Sequence, residues 1–461
     1  MGYYFKIKAK YIFLVLPVLL GLFFIQDFIQ YVTVLSGAFF LYRLISFLDR
    51  FGKEVLFLDI IELLIIVQWV FAPALYYCLK EYDLIFWKRF YWVMRVPAEE
   101  YFALAIPSSA ATLFGMRLFV SKVKFNIPAL LESISKRQHE NAKIGLTLIS
   151  ISVFTGLFSS VIPSGLQYVS TLFSNFFFIG FLYLYYSNIK QKRLIIILLI
   201  MYVVVKGLIG GMFGDIIWWP LFILMITFLG KKVSLNLKLT IVTVGFICFS
   251  VLQSVKSTYR NITWLGRGNV SKEASRIDIL NSLVVDKLSN EKESIFSMES
   301  FFPIISRLNQ GLHVTNAMVY TPTKEPYAYG ETIGTAVAAA FVPRLLWPDK
   351  PEAGGKANYK RFTGFVLKSA SMNIGQIGDA YVNFTTFGAP FFLLVYGVLL
   401  SLLFKTCINL INTYPRLIFW LPFLFIGLIT VESDFLTTFN ALLKSVIFLI
   451  IVFKLKKTIF T

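Results

Sequence analysis

Residues 387–404 read FGAPFFLLVYGVLLSLLF, eighteen positions without Asp, Glu, Lys or Arg. A helix needs about 20 predominantly apolar residues to cross the hydrocarbon core of a bilayer, so this run predicts a membrane-spanning helix. Comparable runs recur at 9–28, 30–47, 55–79, 100–119, 144–162, 165–188, 194–213, 215–230, 239–255, 417–431 and 437–453. Together they predict an all-α polytopic membrane protein of about twelve transmembrane helices. The composition agrees: 57% of the 461 residues are hydrophobic and only 15% charged, against about 25% charged in soluble domains. The mean hydropathy of +0.72 excludes a water-soluble globular enzyme.

The net charge of +19, from 44 Lys and Arg against 25 Asp and Glu, would suggest nucleic acid in a soluble chain. In a chain of spans it points first to the basic bias of cytoplasmic loops, and no nucleic-acid partner is expected. The first run follows Lys6, Lys8 and Lys10 and no small-residue cleavage site ends it, so a retained signal anchor with a cytoplasmic amino terminus is expected. Alternating from there places Arg43, Arg50 and Lys53, then Lys122 to Lys143, Lys190 to Arg193, Lys231 to Lys238 and Lys454 to Lys457 inside. Both termini are then cytoplasmic. One outer segment, Lys80 to Glu100, breaks the rule with Lys88, Arg89 and Arg95 among aromatics. It reads as an interfacial segment with snorkelling bases or as a groove for anionic lipid headgroups.

Three units follow: a membrane domain of about nine helices over 1–255, an extracytoplasmic loop domain over 256–386, and a membrane domain of about three helices over 387–461. Within the loop, Arg276 to Met298 has apolar residues at spacings of three and four, as an amphipathic helix requires. Thr332 to Leu346 is apolar but short, and reads as a re-entrant or interface-embedded segment.

Cys78, Cys248 and Cys407 lie in or beside apolar runs, which argues against a disulfide framework. With only His139 and His313, and no Walker loop, HExxH, GxSxG or CxxC pair, neither a cofactor nor a metal is expected. Chemistry is expected instead in three blocks of the loop. Ser306 to His313, followed by Asn316, brings Arg307, suited to gripping a phosphate, close to the loop's one histidine, suited to moving a proton. Phe341 to Pro351 holds Arg344, Trp347 and Lys350 between prolines that stiffen the backbone. Arginine offers a planar fork to a pyrophosphate, lysine a point charge, and tryptophan a face for a sugar ring. Ile374 to Phe384 supplies Asp379, Tyr381 and Asn383 beside Gly375 and Gly378, with Asp379 a candidate base or partner of Arg344. Each block also has a plain structural account as a solvated helix face, an interfacial anchor or a helix cap. Asp59, Glu62, Lys206 and Lys444 lie within spans, where ionisable groups are costly and draw attention. Ion pairs between Asp59 or Glu62 and Lys206 or Lys444, a proton path and a polar cavity remain open; Arg117 reads as a snorkelling residue.

The order of these blocks, an Arg/Asn/Gly segment with His, the Pro343 to Pro351 turn, then a Gly-rich segment ending Tyr381-Val-Asn-Phe384 before a membrane helix, resembles bacterial oligosaccharide repeat-unit polymerases of the O-antigen polymerase (Wzy) type. The resemblance implies a fold like GT-C polymerases and ligases, in the bacterial inner membrane. It implies an enzyme of surface polysaccharide or exopolysaccharide synthesis that transfers a glycan from an undecaprenyl-type pyrophosphate carrier on the outer face, without a nucleotide sugar or metal. Carried onto this chain, Arg307, Arg344 and Lys350 hold the pyrophosphate, His313 or Asp379 is the catalytic base, and Trp347, Tyr381 and Asn383 contact glycan. The implied partners are the lipid-linked oligosaccharide, membrane lipids, and a chain-length regulator and flippase. A ligase transferring finished glycan and a polysaccharide or lipid transporter stand as alternatives.

Overall fold

The computed structural model describes residues 21, 25–82, 93–120, 125–158, 167–191, 194–195, 197–198, 201–202, 205, 207, 214–265, 276–289, 304–342, 346–367 and 372–460. These residues form helices and turns and no strand. A helix satisfies its backbone donors and acceptors internally, which is the condition for lying in hydrocarbon.

In chain order, α1 (Phe28–Arg50) leads to α2 (Phe57–Ile65), a π-helical turn (Ile66–Phe71) and α3 (Ala72–Tyr82). Then come α4 (Ala98–Arg117), α5 (Ile127–Ser135), α6 (Gln138–Leu157), α7 (Gln167–Ser174), α8 (Phe176–Tyr185), α9 (Gly214–Thr227) and α10 (Leu235–Leu265). The expected loop region contributes α11 (Arg276–Ser289), α12 (Gly311–Tyr320), α13 (Glu331–Phe341) and α14 (Lys356–Thr363). The chain closes with α15 (Gly375–Thr413), a 3-10 turn (Pro415–Trp420), α16 (Leu421–Phe425) and α17 (Phe435–Leu455).

Among the described residues, six helices are long and apolar enough to cross a membrane: Phe28–Arg50, Phe57–Leu79, Tyr168–Tyr185, Leu235–Lys256, Gly375–Thr413 and Phe435–Leu455. Their outward faces carry the apolar bands that a lipid-facing surface needs. On α15 the exposed residues Phe387, Phe391, Val395, Leu399 and Leu402 recur at one helical face, and Ile447, Ile450, Ile451 and Leu455 do the same on α17. This is a helical membrane protein. The expected runs at 100–119, 144–162 and 215–230 coincide with α4, α6 and α9, while 9–28 and 194–213 fall mostly outside the described residues.

The run at 417–431 does not form one spanning helix. It breaks after Phe425 into turns, and Phe419, Trp420, Leu421, Phe425 and Ile429 are fully enclosed by protein. Its uniform hydrophobicity comes from burial on every side, a pattern that hydropathy alone cannot separate from lipid exposure. Lengths differ at α15 as well, where two helices join across a kink at Thr385 (φ 62°, ψ −177°). A β-branched residue there costs on the order of 1–3 kcal/mol, which the surrounding packing must offset.

Small residues fix the crossings. A Cβ on Gly397 would lie 2.3 Å from the Thr112 carbonyl oxygen, and one on Gly115 2.5 Å from that of Leu394, so α4 and α15 touch backbone to backbone. Gly145 and Gly180 do the same for α6 and α8, each added Cβ falling 2.8 Å from the other residue's carbonyl oxygen. Between apolar helices in lipid, such close approach supplies the van der Waals contact that a hydrophobic effect cannot.

Two buried charge knots tie the bundle. Asp59 and Glu62 pair with Arg43, Arg50 and Arg117, with Arg117 Nη2 2.7 Å from Asp59 Oδ1. Three arginines thus pair with the two carboxylates, for which ion pairs with Lys206 or Lys444 were one of the open readings, and Arg117 is an ion-pair partner where a snorkelling residue was expected. Lys206 lies outside the described residues, and Lys444 sits 4.1 Å from the Tyr168 ring centroid. Elsewhere the fully buried Arg416 donates to Asn141 Oδ1 at 3.1 Å, Glu140 Oε2 at 3.2 Å and the Thr458 carbonyl at 2.6 Å, joining α6 to the residues after α17.

The amphipathic helix expected over Arg276 to Met298 is present as α11 to Ser289, and 290–298 lie outside the described residues. The apolar stretch from Thr332 forms α13, an 11-residue helix packed along α17.

Candidate functional site

Pro73 sets the site's floor. It lacks an N–H, so the helix turn before it cannot complete its ladder, and the chain takes the wider π-helical turn Ile66–Phe71. Two carbonyls there accept from outside the helix. Trp69 takes the Tyr101 hydroxyl at 2.8 Å, which fixes α4, and Gln68 takes the Gln310 N–H at 3.1 Å, which fixes the segment leading into α12. Gln310 also donates through Nε2 to the Asn373 carbonyl at 3.2 Å. Gly375 (φ 74°) lies against this amide, where a Cβ would fall 2.4 Å from Nε2, so the start of α15 and the start of α12 are locked together.

The first block is not one helix. Residues 304–308 are helical, Asn309 interrupts, and α12 begins at Gly311. The break turns Arg307 toward Glu432, with Nη2 2.7 Å from Oε1. Gln68 Nε2 approaches the other carboxylate oxygen of Glu432 at 3.5 Å. Two further cations, Lys256 and Arg260 near the end of α10, lie within electrostatic range of Arg307, and Lys256 also feels Glu432. Arg260 is held below its ordinary value by burial and by the Arg307 charge. Arg307 and Lys256 thus share the field of Glu432, with Arg260 close to Arg307, a grouping of cations of the kind that suits an anion.

His313 stands beside this cluster, one turn into α12. Its Nδ1 is 3.1 Å from the Tyr359 hydroxyl, with the two rings edge to face at 5.6 Å. Burial, and then the Arg307 charge, push its pKa down to about 4. The imidazole is therefore neutral at physiological pH and can accept a proton once an incoming anion offsets Arg307. Burial raises the Tyr359 phenol, against a hydrogen bond from Asn316 and the positive charge of Arg95, so it stays protonated. Arg95 brings the 80–100 segment to the same place: its N–H donates to Thr315 Oγ1 at 3.2 Å and its guanidinium lies 5.1 Å from the Phe365 ring. Residues 83–92, with Lys88 and Arg89, lie outside the described residues.

The other expected site residues separate from this center. Asp379 is buried and saturated: Oδ1 accepts from Thr332 and from Asn383 at 3.1 Å each, and Oδ2 accepts from the Phe435 N–H at 2.9 Å. It clamps α13 and α17 to α15. Asn383, fully buried, also accepts from the Gly330 N–H at 3.1 Å. Tyr381 is buried and donates to the Thr321 carbonyl at 3.0 Å. Both side chains are enclosed by protein. Trp347 is partly buried against the core. Lys350 Nζ donates to the Val342 carbonyl at 2.9 Å and lines a cleft whose lining includes neither Arg307 nor His313. Arg344 lies outside the described residues. Sequence reasoning passed over Lys256, Arg260, Tyr359 and Glu432; the signal available was a basic pair at i, i+4 on the last turns of a span, read only as the end of a helix.

Fold and site together define a helical membrane protein with a cationic, histidine-bearing center. A profile of a domain of unknown function (DUF8712) matches residues 16–460, and the chain belongs to that family. No curated protein matches it, and no solved structure does.

Proposed function

We propose that this protein is a metal- and nucleotide-sugar-independent glycosyltransferase of the bacterial inner membrane. It joins polyprenyl-pyrophosphate-linked oligosaccharide repeat units into surface polysaccharide on the extracytoplasmic face, within a GT-C-like arrangement of about twelve spans. The observation that supports this reading is the convergence of Lys256, Arg260 and Arg307 beside His313. Glycosyl transfer from a pyrophosphate needs fixed positive charge where the leaving group gains negative charge, and a base for the acceptor hydroxyl. The three cations supply the first. His313, neutral and adjacent, supplies the second, and its proton affinity rises when the diphosphate offsets Arg307. Arg344 and Lys350 remain assigned to the pyrophosphate by the sequence resemblance alone.

Transport loses its main motive, because Asp59 and Glu62 are already paired with three arginines. The test is deletion of the gene and complementation with Arg307→Ala and Arg260→Ala, with surface polysaccharide resolved by chain length. A polymerase leaves single repeat units in the deletion and in both variants, while the variant proteins still insert. Normal chain-length ladders in both variants overturn the reading, as does unattached full-length polymer, the mark of a ligase.

A further inference from the structure

α13 and α17 start from one carboxylate. Asp379 accepts the Thr332 hydroxyl of α13 at 3.1 Å through Oδ1 and the Phe435 N–H of α17 at 2.9 Å through Oδ2. From that point the two helices pack side by side, with Thr332, Ala336, Ala339 and Ala340 of α13 buried. The chain after α13 then climbs back along α17. Lys350, whose Nζ donates to the Val342 carbonyl at the far end of α13 at 2.9 Å, borders one cleft with Asn440 and Lys444. The Gly354 N–H donates to Thr437 Oγ1 at 2.8 Å, and Asn358 Nδ2 donates to Asp434 Oδ2 at 3.2 Å. Asp434 is the N-cap of α17, so the return ends where α17 begins. From Asp434 to Lys444 the helix rises about 15 Å, half of the roughly 30 Å hydrocarbon core of a bilayer.

The outward face of α13 fits that depth. Gly334, Val337, Ala338 and Phe341, at spacings of three and four, are exposed, and none carries a polar side chain. A Cβ on Gly334 would meet nothing within 4 Å. Charge on α13 is confined to its first residue, Glu331, which pairs with Arg361 at 2.9 Å. At the other end the Lys350 ammonium meets the Val342 carbonyl, an acceptor of the kind that a helix end leaves open and hydrocarbon cannot satisfy. The return loop differs. Asp349 and Glu352 are exposed there, and Lys350, Pro351 and Ala353 line a cleft of about 400 Å³, a recess of the kind that a polar segment at membrane depth requires.

We propose that α13 is a half-depth membrane helix, running inward beside α17 from the Asp379 clamp and presenting Val337, Ala338 and Phe341 to the acyl chains of one leaflet. The occupant of this face is lipid, because the face lies alongside a spanning helix and asks for no hydrogen bond. Water would leave Val337 and Phe341, 39% and 63% exposed, uncovered. The Glu331–Arg361 pair then marks the level at which the helix enters the bilayer. The surface is separate from the Arg307 center and stands whether or not glycosyl transfer is the activity, and whichever side of the membrane the Asp379 end faces.

The test uses the full chain in phosphatidylcholine vesicles, with Cys78, Cys248 and Cys407 replaced by alanine. Val337→Cys, Ala338→Cys, Phe341→Cys and, as the exposed reference after α12, Lys324→Cys each carry a bimane label. Iodide on both sides of the membrane is expected to quench the Lys324→Cys label several-fold more than the α13 labels. Phosphatidylcholine with a nitroxide on its acyl chain is expected to do the reverse. The nitroxide depth that quenches best should be greater for Phe341→Cys than for Val337→Cys, since α13 runs inward from Glu331. Ala338→Cys, a small change on the exposed face, keeps the readout if Phe341→Cys fails to fold. Iodide quenching of the α13 labels equal to the reference overturns the proposal. So does protection from both iodide and the nitroxide lipid, which would place a protein partner on this face, and so does a reversed order of depth.

Discussion

Arg307 is held 2.7 Å from Glu432, with 43% of the arginine and 24% of the glutamate side chain still exposed. An ion pair this open contributes about 0–1 kcal/mol. Its weakness matters for the site, because the guanidinium needed for an anionic substrate is parked and oriented without being committed. Under the proposed function, an entering diphosphate would have only to displace one carboxylate, and would gain Lys256 and Arg260 as well.

Glu432 then acts as an internal competitor. Glu432→Gln removes the competing charge while keeping the side chain's size and its contact with Gln68. Binding of a short-chain prenyl pyrophosphate, followed by calorimetry on the detergent-solubilised protein, should tighten several-fold in this variant. Weaker or unchanged binding would show that the carboxylate organises the site and does not compete for it.

The half-buried, neutral His313 makes stability depend on acidity. Its folded pKa of about 4 lies below its ordinary 6.5, so between these values the unfolded chain binds a proton that the folded chain refuses. Its contribution is complete above about pH 6.5 and is lost as pH falls through that window to about 4. His313→Gln should flatten this part of the pH profile of thermal unfolding. A variant whose melting temperature follows pH as the parent's does would place the acid sensitivity elsewhere.

The backbone contact between α4 and α15 leaves no room for a side chain. With a Cβ at 2.3 Å from the Thr112 carbonyl oxygen, Gly397→Leu must push the two helices apart. Overpacking of this kind costs about 1–3 kcal/mol, and more where backbone blocks the way. A lowered detergent-melting temperature and increased proteolysis at α4 are expected. Gly245→Leu on α10, where a Cβ meets nothing within 4 Å, is the matched control and should be silent.

Much of the architecture was legible as hydropathy. The apolar runs that became α1 and α17 were read within three residues of their ends, because lipid-exposed helices must be apolar over a bilayer's width, whereas α10 and α15 run about ten residues past theirs. The 417–431 run misled because a segment enclosed by protein has the same composition. At the site, Arg307 and His313 were legible from spacing within one block. Glu432 was not, since it lies 125 residues from Arg307 and only the docking of the α16–α17 turn brings the two together. Asp379 drew attention as a lone acid near a membrane boundary. Its burial and its three donors, which tie α13 and α17 to α15, come from tertiary packing that spacing along the chain does not carry.

Pro73 links sequence to site most directly. Replacing it with alanine restores an N–H that competes for the carbonyl oxygens of the π-helical turn and favours a regular α-helix through 66–73. Regularising the turn withdraws the Gln68 carbonyl from Gln310 and the Trp69 carbonyl from Tyr101, contacts of 3.1 Å and 2.8 Å. α3 itself gains intrinsic stability, since proline is a poor helix residue, so global unfolding should change little. The loss should fall on residues 307–316, the segment that carries Arg307 and His313. Hydrogen exchange followed by mass spectrometry should show faster exchange there in Pro73→Ala, with α15 unchanged. Ligand affinity should fall with it, because Arg307 is no longer held at Glu432 beside Lys256 and Arg260. Exchange in 307–316 as slow as in the parent would mean that Gln310 is held by Asn373 alone.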